Sequence, residues 1–425
     1  MGVLDELKWR GLLDNCTDEQ ALAEHLNAGP VTFYIGFDPT APSIHFGNLV
    51  QLIVARHLQA AGHDPLILVG GSTGLIGDPK DSAERVLNSK ETVAGWVEKI
   101  REQVGRFVDM DGPHPARLVN NLDWTGDLPV LDFLRDIGKH FPVNRMLARD
   151  VVKKRLEAGI SYTEFSYVLL QALDYLNLYR QYGCTLQFGG SDQWGNITAG
   201  VELIRRSDGT KVHAIATPLL TKADGTKFGK TEGGTVWLDR GMTSPFAFHQ
   251  FFLNAEDEKV IDYLKVFSPR GQDEIAELEQ QTRDKPQLRA AQHALADDVT
   301  DLVHSPADTK AANDAAAALF GRSELQALGD ETIRDVAEEL GAPAVKSDGE
   351  LPTFVDAMEA SGVVASKSAA RRAIAEGGAY LNNTKVSDPD RRLEQSDLLA
   401  GEYVVLRRGK KTVGAARIAA QTSGC

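Results

Sequence analysis

Between residue 31 and about residue 220, short apolar runs that close on glycine, asparagine or aspartate alternate with longer stretches of helical periodicity. VTFYIGF (31–37) has the period-two pattern of a strand, with Phe33, Ile35 and Phe37 on one face and Tyr34, Gly36 and Asp38 on the other. DPLILVGG (64–71) is a short apolar run suited to burial on both faces, and ARLVNN (116–121) and TLQFGG (185–190) repeat the theme. Parallel neighbours need a crossover, which the intervening helices supply. The expected fold class is therefore α/β, a doubly wound parallel sheet of Rossmann-like kind. In such sheets ligands gather at the carboxyl ends of strands, where the strand order reverses.

Beyond residue 243 the pattern changes. SPFAFHQFFLN, DEKVIDYLKVF and DEIAELEQQ read as helices, so 244–320 is expected to be an α-helical domain. Residues 321–350 contain Gly, Asp and Ser with one weak helix and read as a linker. Residues 351–425 alternate two helices with the strands AYLNN, KV and EYVVLRRG, a small α+β unit. That leaves 1–220 for the sheet domain and 221–243 for a loop and connector. The net charge of −14 argues against indiscriminate nucleic-acid binding, yet residues 351–425 carry 11 Lys and Arg against 8 Asp and Glu. An acidic body with a locally basic tail suits selective binding of one RNA. No apolar run approaches the ~18 residues of a membrane span, and MGVLDELKWR lacks a secretory pattern, so the expected address is the cytoplasm. Cys16, Cys184 and Cys425 have no metal-ligand spacing and read as reduced thiols.

Candidate chemistry collects in a few segments. GFDPTAPSIHFGN (Gly36 to Asn48) leads from a strand into a helix, and Thr40, His45 and Asn48 cluster about that helix start, where free backbone N–H groups favour an anion. KADGTKFGKTEGG (Lys222 to Gly234) presents Lys227 and Lys230 among glycines, as a mobile cationic clamp or as a solvated loop. In YTEFSYVLLQALDYL, Tyr167, Gln171 and Asp174 form one polar stripe on an apolar helix. Buried polar groups need partners, which either neighbouring side chains or a ligand with an ammonium and a hydroxyl would supply. GGSTGLIGDP ends on Asp78, and in GGSDQWGN Ser191 or Asp192 suits the N-cap of the next helix.

His45-Phe46-Gly47-Asn48 and Lys227-Phe228-Gly229-Lys230-Thr231 resemble the HIGH and KMSKS motifs of class I aminoacyl-tRNA synthetases. With YIGFDPTAPSIHFGN, GGSTGLIGDP, EFSYVLLQALD, GGSDQWGNITAG and TKADGTKFGKT in order, the chain resembles the bacterial tyrosyl-tRNA synthetase family nearly end to end. The resemblance implies a tyrosine-tRNA ligase that joins L-tyrosine to tRNA(Tyr) through tyrosyl-adenylate, with ATP as substrate and Mg2+ on its phosphates. It implies that Tyr34 and Asp174 hold the substrate phenol, that Asp78, Tyr167 and Gln171 take its ammonium, and that Gln193 lies beside its carboxylate. Gly36, Asp38, Gly47, Asn48 and Asp192 would border the nucleotide, while Thr40, His45, Lys227, Lys230 and Thr231 would hold the phosphates.

ASKSAARRAIAEGGAYLNNTKV resembles the RNA-binding domain named after ribosomal protein S-four, which points Lys367, Arg371 and Arg372 at RNA phosphates. A homodimer is expected from the family, through LDFLRDIGKHFPVNRM. The chain departs from the family pattern after Asp78, where Lys80 or Arg85 would serve as a loop cation. The rival readings are the tryptophan-specific sister enzyme, which has no need of Tyr34 with Asp174, and a non-catalytic RNA-binding protein on the same fold.

Overall fold

The computed structural model describes residues 2–79, 87–231, 234–346, 350–409 and 412–419, without the side chains of Lys230, Thr231, Lys346 and Ala419. Lys80 and Arg85 lie outside the described residues. The chain divides into two compact units, Met1–Asp239 with Glu258–Glu277, and Arg240–Asp257 with Leu278–Cys425.

The first unit is built on a six-stranded sheet of order β1-β6-β5-β2-β3-β4. Its strands are β1 (Asn15–Cys16), β2 (Thr32–Phe37), β3 (Asp64–Val69), β4 (Arg117–Asn120), β5 (Leu186–Gly190) and β6 (His213–Thr217). All neighbours are parallel except the short edge strand β1, which runs antiparallel to β6. From β2 the chain moves outward through β3 and β4, then returns to lay β5 and β6 on the other side, so the order reverses between β2 and β5. The doubly wound sheet expected from the alternation is present, with two strands added. β6 (HAIAT) is buried at every position and β1 spans two residues, so neither has the length or alternation that marks a strand in a sequence.

Helices cover both faces. Phe46–Ala60 joins β2 to β3 and packs on them with Leu49, Leu52 and Ile53 buried. On the other face Tyr34, Leu66 and Leu68 form a core with Leu173, Tyr175 and Leu176 of the helix Tyr162–Tyr182 and with Leu203 and Ile204 of Trp194–Asp208. Ser161 starts the long helix by accepting the Glu164 N–H through its hydroxyl at 3.2 Å. Gly183 stops it at φ 66°, a conformation that a side chain would strain. Beyond the sheet, the hairpin β7 (Lys230–Thr231) and β8 (Gly234–Thr235) follows the glycine-rich loop. The helix Val260–Phe267, inside the stretch expected to be a separate helical domain, belongs to this unit. Its buried Val260, Tyr263, Leu264 and Phe267 make an apolar face, and it packs against Phe46–Ala60.

In the second unit the helices Pro245–Leu253, Ala290–Val303 and Pro306–Leu319 pack together. A five-stranded sheet of order β11-β10-β12-β13-β9 follows, made of β9 (Ala344–Lys346), β10 (Ala379–Leu381), β11 (Thr384–Lys385), β12 (Tyr403–Arg408) and β13 (Thr412–Ala419). The helices Phe354–Ala360 and Lys367–Ala375 bury Phe354, Met358, Ala370 and Ile374 against it. Residues 321–346 are more structured than a linker. The helix Asp330–Glu339 buries Ile333, Val336 and Ala337, and β9 pairs with β13 through Ala344 and Arg417. That strand partner lies about 70 residues downstream, and nothing local announces it.

Candidate active site

A cavity of about 570 Å3 opens at the carboxyl ends of β2 and β5, where the strand order reverses. β2 and the turn after it contribute Tyr34, Gly36, Asp38 and Thr40, and the next helix start contributes His45, Gly47 and Asn48. The long helix contributes Tyr167, Gln171 and Asp174, so its polar stripe faces this cavity. Asp78, Asp192, Gln193 and Lys227 complete the candidates that line it. Gly36 is exposed within a strand otherwise buried from Phe33 to Phe37. A Cβ at Gly36 would meet nothing closer than Leu68 Cδ2 at 3.5 Å, so protein packing does not require glycine there. The missing side chain instead leaves backbone open to the cavity.

At the buried end, Tyr34 and Asp174 are each 2% exposed. Asp174 accepts from Trp124 Nε1–H through Oδ1 and from Asn121 Nδ2–H through Oδ2, both at 2.9 Å. Burial pushes its carboxyl up to about 7, and Asp38 adds to the rise against the opposing effect of those two hydrogen bonds. The Tyr34 hydroxyl has no hydrogen-bond partner among the described residues, and burial followed by the charge of Asp174 pushes its phenol well above the ordinary value. Gln171 Oε1 is also buried without a partner among the described residues. Asn121 connects this end to the next, donating to Thr73 Oγ1 at 2.9 Å, while the Thr73 hydroxyl donates to Asp38 Oδ1 at 2.6 Å. A Cβ at Gly70 would fall 2.2 Å from Thr73 Oγ1 and 2.4 Å from Asp38 Oδ1, so this turn must be glycine to let the pair form.

Along the middle of the cavity, the Tyr167 hydroxyl donates to Asp38 Oδ2 at 2.6 Å. Gln193 Nε2–H donates to Asp78 Oδ2 at 2.8 Å, and Asn196 Nδ2–H donates to Asp78 Oδ1 at 3.2 Å and to Gln193 Oε1 at 2.8 Å. Arg149 in turn donates to Asn196 Oδ1. Four carboxylates, those of Asp38, Asp78, Asp174 and Asp192, thus line one cavity, an arrangement suited to a cationic group. Gln193 rather than Ser191 or Asp192 is the N-cap of Trp194–Asp208, because Ser191–Gln193 forms a separate turn of 3-10 helix.

At the outer end the two motif segments meet. The His45 N–H donates to Asn48 Oδ1 at 3.1 Å, so Asn48 closes the helix start as well as lining the cavity. Phe46 packs edge-on against Phe228, with ring centroids 5.1 Å apart. Lys230 and Thr231 form β7, and their side chains lie outside the described residues. Lys367, Arg371 and Arg372 belong to the second unit, exposed on the helix Lys367–Ala375, with Lys367 paired to Asp356 at 2.7 Å. Thr73, which lines the cavity, and Asn121, Trp124, Arg149 and Asn196 behind its wall are absent from the sequence-based set. Thr73 and Asn196 fall inside the GGSTGLIGDP and GGSDQWGN segments and Asn121 in the Asn120-Asn121 pair at the end of β4, whereas nothing local marks Trp124 or Arg149.

Two family descriptions match: class I tRNA synthetases (W and Y) over residues 26–321, and the C-terminal domain of tyrosine-tRNA ligases over 333–413. The tyrosine-tRNA ligase of Cutibacterium acnes is 62% identical, covering 97% of this chain and 99% of that protein. The tyrosine-tRNA ligase of Kineococcus radiotolerans is 58% identical, covering 98% of each. Among solved structures, a C-terminally truncated mitochondrial tyrosyl-tRNA synthetase from Aspergillus nidulans is 30% identical with a TM-score of 0.67, covering 73% of this chain and 92% of that one. A tryptophanyl-tRNA synthetase from Plasmodium falciparum, 14% identical with a TM-score of 0.53 and covering 72% of this chain and 84% of its own, shares the fold. A reversed parallel sheet, a polar cavity at its switch point and relatives matched over nearly their whole length agree, and the chain belongs to the bacterial tyrosine-tRNA ligases of class I.

Proposed function

We propose that this cavity activates L-tyrosine by holding the phenol between Tyr34 and Asp174 and the ammonium near Asp78, Tyr167 and Gln171. The observation that carries the reading is the buried Tyr34 hydroxyl, which has no partner among the described residues and shares its cavity with a buried carboxylate. An unpaired buried hydroxyl is costly, and a ligand phenol that accepts from Tyr34 and donates to Asp174 satisfies both. Indole has a donor for Asp174 and no acceptor for Tyr34, which disfavours tryptophan.

With the amino acid so held, Gln193 lies beside its carboxylate and Asp38 and Asp192 border the nucleotide, Asp192 at the ribose. The carboxylate oxygen bonds to the α-phosphorus of ATP as the bond to the bridging oxygen breaks, releasing pyrophosphate. No side chain gives or takes a proton in this step. Thr40, His45, Asn48, Lys227, Lys230 and Thr231 hold phosphate oxygens, so the chemistry is positioning and charge stabilisation. Asp192 and Thr40 offer the cavity the hard oxygen donors that Mg2+ takes. Mg2+ would arrive on ATP and offset phosphate charge. A terminal ribose hydroxyl of tRNA(Tyr) then takes the tyrosyl group and AMP leaves. Exposed Lys367, Arg371 and Arg372 suit phosphate contacts with that RNA.

The active form is a homodimer. Val130, Leu131, Leu134, Val143 and Leu147 are all exposed, Leu131 by 76%, within or beside the segment expected to pair, and exposed apolar groups of this kind mark an interface. Dependence on tRNA and ATP supports a cytoplasmic address, and among the described residues no helix is long and apolar enough to cross a membrane.

Tyr34→Phe tests the phenol assignment. It should lower kcat/KM for tyrosine about three- to tenfold, the worth of one hydrogen bond, while leaving activity toward phenylalanine equal or higher. Unchanged tyrosine activation would contradict the assignment.

A further inference from the structure

The loop that carries Lys227 is held from behind. Thr221 and Lys227 face each other in an isolated antiparallel bridge, and the Lys222 N–H donates to the Thr226 carbonyl at 2.8 Å. Residues 221–227 thus close a tight hairpin that brings Lys227 to the cavity. Tyr263, on the helix Val260–Phe267, grips both sides of it. Its hydroxyl donates to the Thr221 carbonyl at 2.9 Å. Its ring stacks on Phe228, the neighbour of Lys227, with centroids 4.0 Å and planes 19° apart. Gly229 follows at φ +94°, where a Cβ would come 2.6 Å from Phe46 Cδ1, so the chain passes directly over the helix that starts at the first motif.

Packing alone does not account for this. Tyr263 is 2% exposed, and a phenylalanine would fill the same space; its hydroxyl instead fixes a loop carbonyl opposite Lys227. We infer that Tyr263 is a positioning residue for tyrosine activation, which sets Lys227 against the ATP phosphates by holding its bridge partner Thr221 and its neighbour Phe228. The inference rests on the assignment of Lys227 to those phosphates. Contacts made as the α-phosphate becomes five-coordinate depend steeply on placement, and a displacement of about 1 Å costs on the order of 100-fold in rate.

The test measures single-turnover tyrosyl-adenylate formation and equilibrium tyrosine binding for Tyr263→Leu, Tyr263→Phe, Lys227→Ala and the double variant Lys227→Ala with Tyr263→Leu. Tyr263→Leu should slow adenylate formation about 10- to 100-fold, with tyrosine Kd within about twofold. Tyr263→Phe keeps the stack and should restore most of the rate, leaving about a three- to tenfold loss. Because Tyr263 acts through Lys227, its loss should add less than about twofold on top of Lys227→Ala. A multiplicative loss in the double variant, a parallel loss of tyrosine binding, or a wild-type rate for Tyr263→Leu would each overturn the inference. Should Lys227→Ala itself keep the wild-type rate, the phosphate assignment is what fails, and the inference falls with it.

Discussion

The Tyr167 hydroxyl donates to Asp38 Oδ2 at 2.6 Å, joining the N-terminal third of the long helix to the turn that follows β2. Thr73 holds the other oxygen of the same carboxylate. A residue assigned to the substrate ammonium and one assigned to the nucleotide side are therefore a single unit. Tyr167→Phe should weaken tyrosine binding about tenfold or more, since hydrogen bonds to charged groups contribute about 1.5–3 kcal/mol. It should also raise the KM for ATP, because Asp38 loses a constraint. Equilibrium binding of tyrosine and the two KM values check both effects, and a change confined to tyrosine would show that the two sides are uncoupled.

Asp174 gives a pH signature. Burial lifts its carboxyl from 3.8 to about 7, so its folded pKa lies above its unfolded one. Between those values the folded state keeps a proton that the unfolded state releases, and this contribution to stability falls as pH rises. Asp174→Asn removes the titration. The Tm of the variant relative to the native chain should therefore climb by several degrees between about pH 4 and pH 7 and level off above that. A constant Tm difference across the range would contradict the lifted pKa.

Gly36, which lines the cavity, and Gly70, which packs against Thr73 and Asp38, should behave differently. Gly36→Ala adds a methyl that touches only Leu68, so the Tm should stay within about 2 °C while kcat/KM for activation falls at least about tenfold, because the methyl points into ligand space. Gly70→Ala forces a carbon against Thr73 and Asp38 and should cost stability as well as activity. Thermal unfolding with pyrophosphate exchange on both variants separates the two cases.

Much of this cavity was legible because its elements advertise themselves locally. Period-two alternation places Tyr34, Gly36 and Asp38 on one face, and helical spacing places Tyr167, Gln171 and Asp174 on one stripe, so both sets carry their direction in a few residues. The hydrogen bonds behind them do not. Asn121 and Trp124 reach Asp174 across about 50 residues, and Tyr263 reaches Thr221 across 42, distances at which no periodicity operates. The helix Val260–Phe267 shows the same limit. Its amphipathic pattern reveals a helix but not which core its apolar face joins.

RNA contacts should separate from activation. Arg371→Glu with Arg372→Glu alters exposed side chains on the helix Lys367–Ala375 and leaves the buried Ala370 and Ile374 in place. Pyrophosphate exchange should stay at the native level while the KM for tRNA rises at least about tenfold and its salt dependence weakens. Equal losses in both assays would locate the defect outside RNA binding.

The central claim is a cavity built for a phenol-bearing amino acid, and its most direct test is pyrophosphate exchange into ATP with each standard amino acid in turn. Tyrosine should support exchange far above every other amino acid. Phenylalanine should lag by a factor of about 30 to 25,000, because the Tyr34 hydroxyl is left without a partner and Asp174 loses the phenol donor, each at a cost of about 1–3 kcal/mol. Comparable exchange with phenylalanine, or stronger exchange with tryptophan, would contradict the roles given to Tyr34 and Asp174.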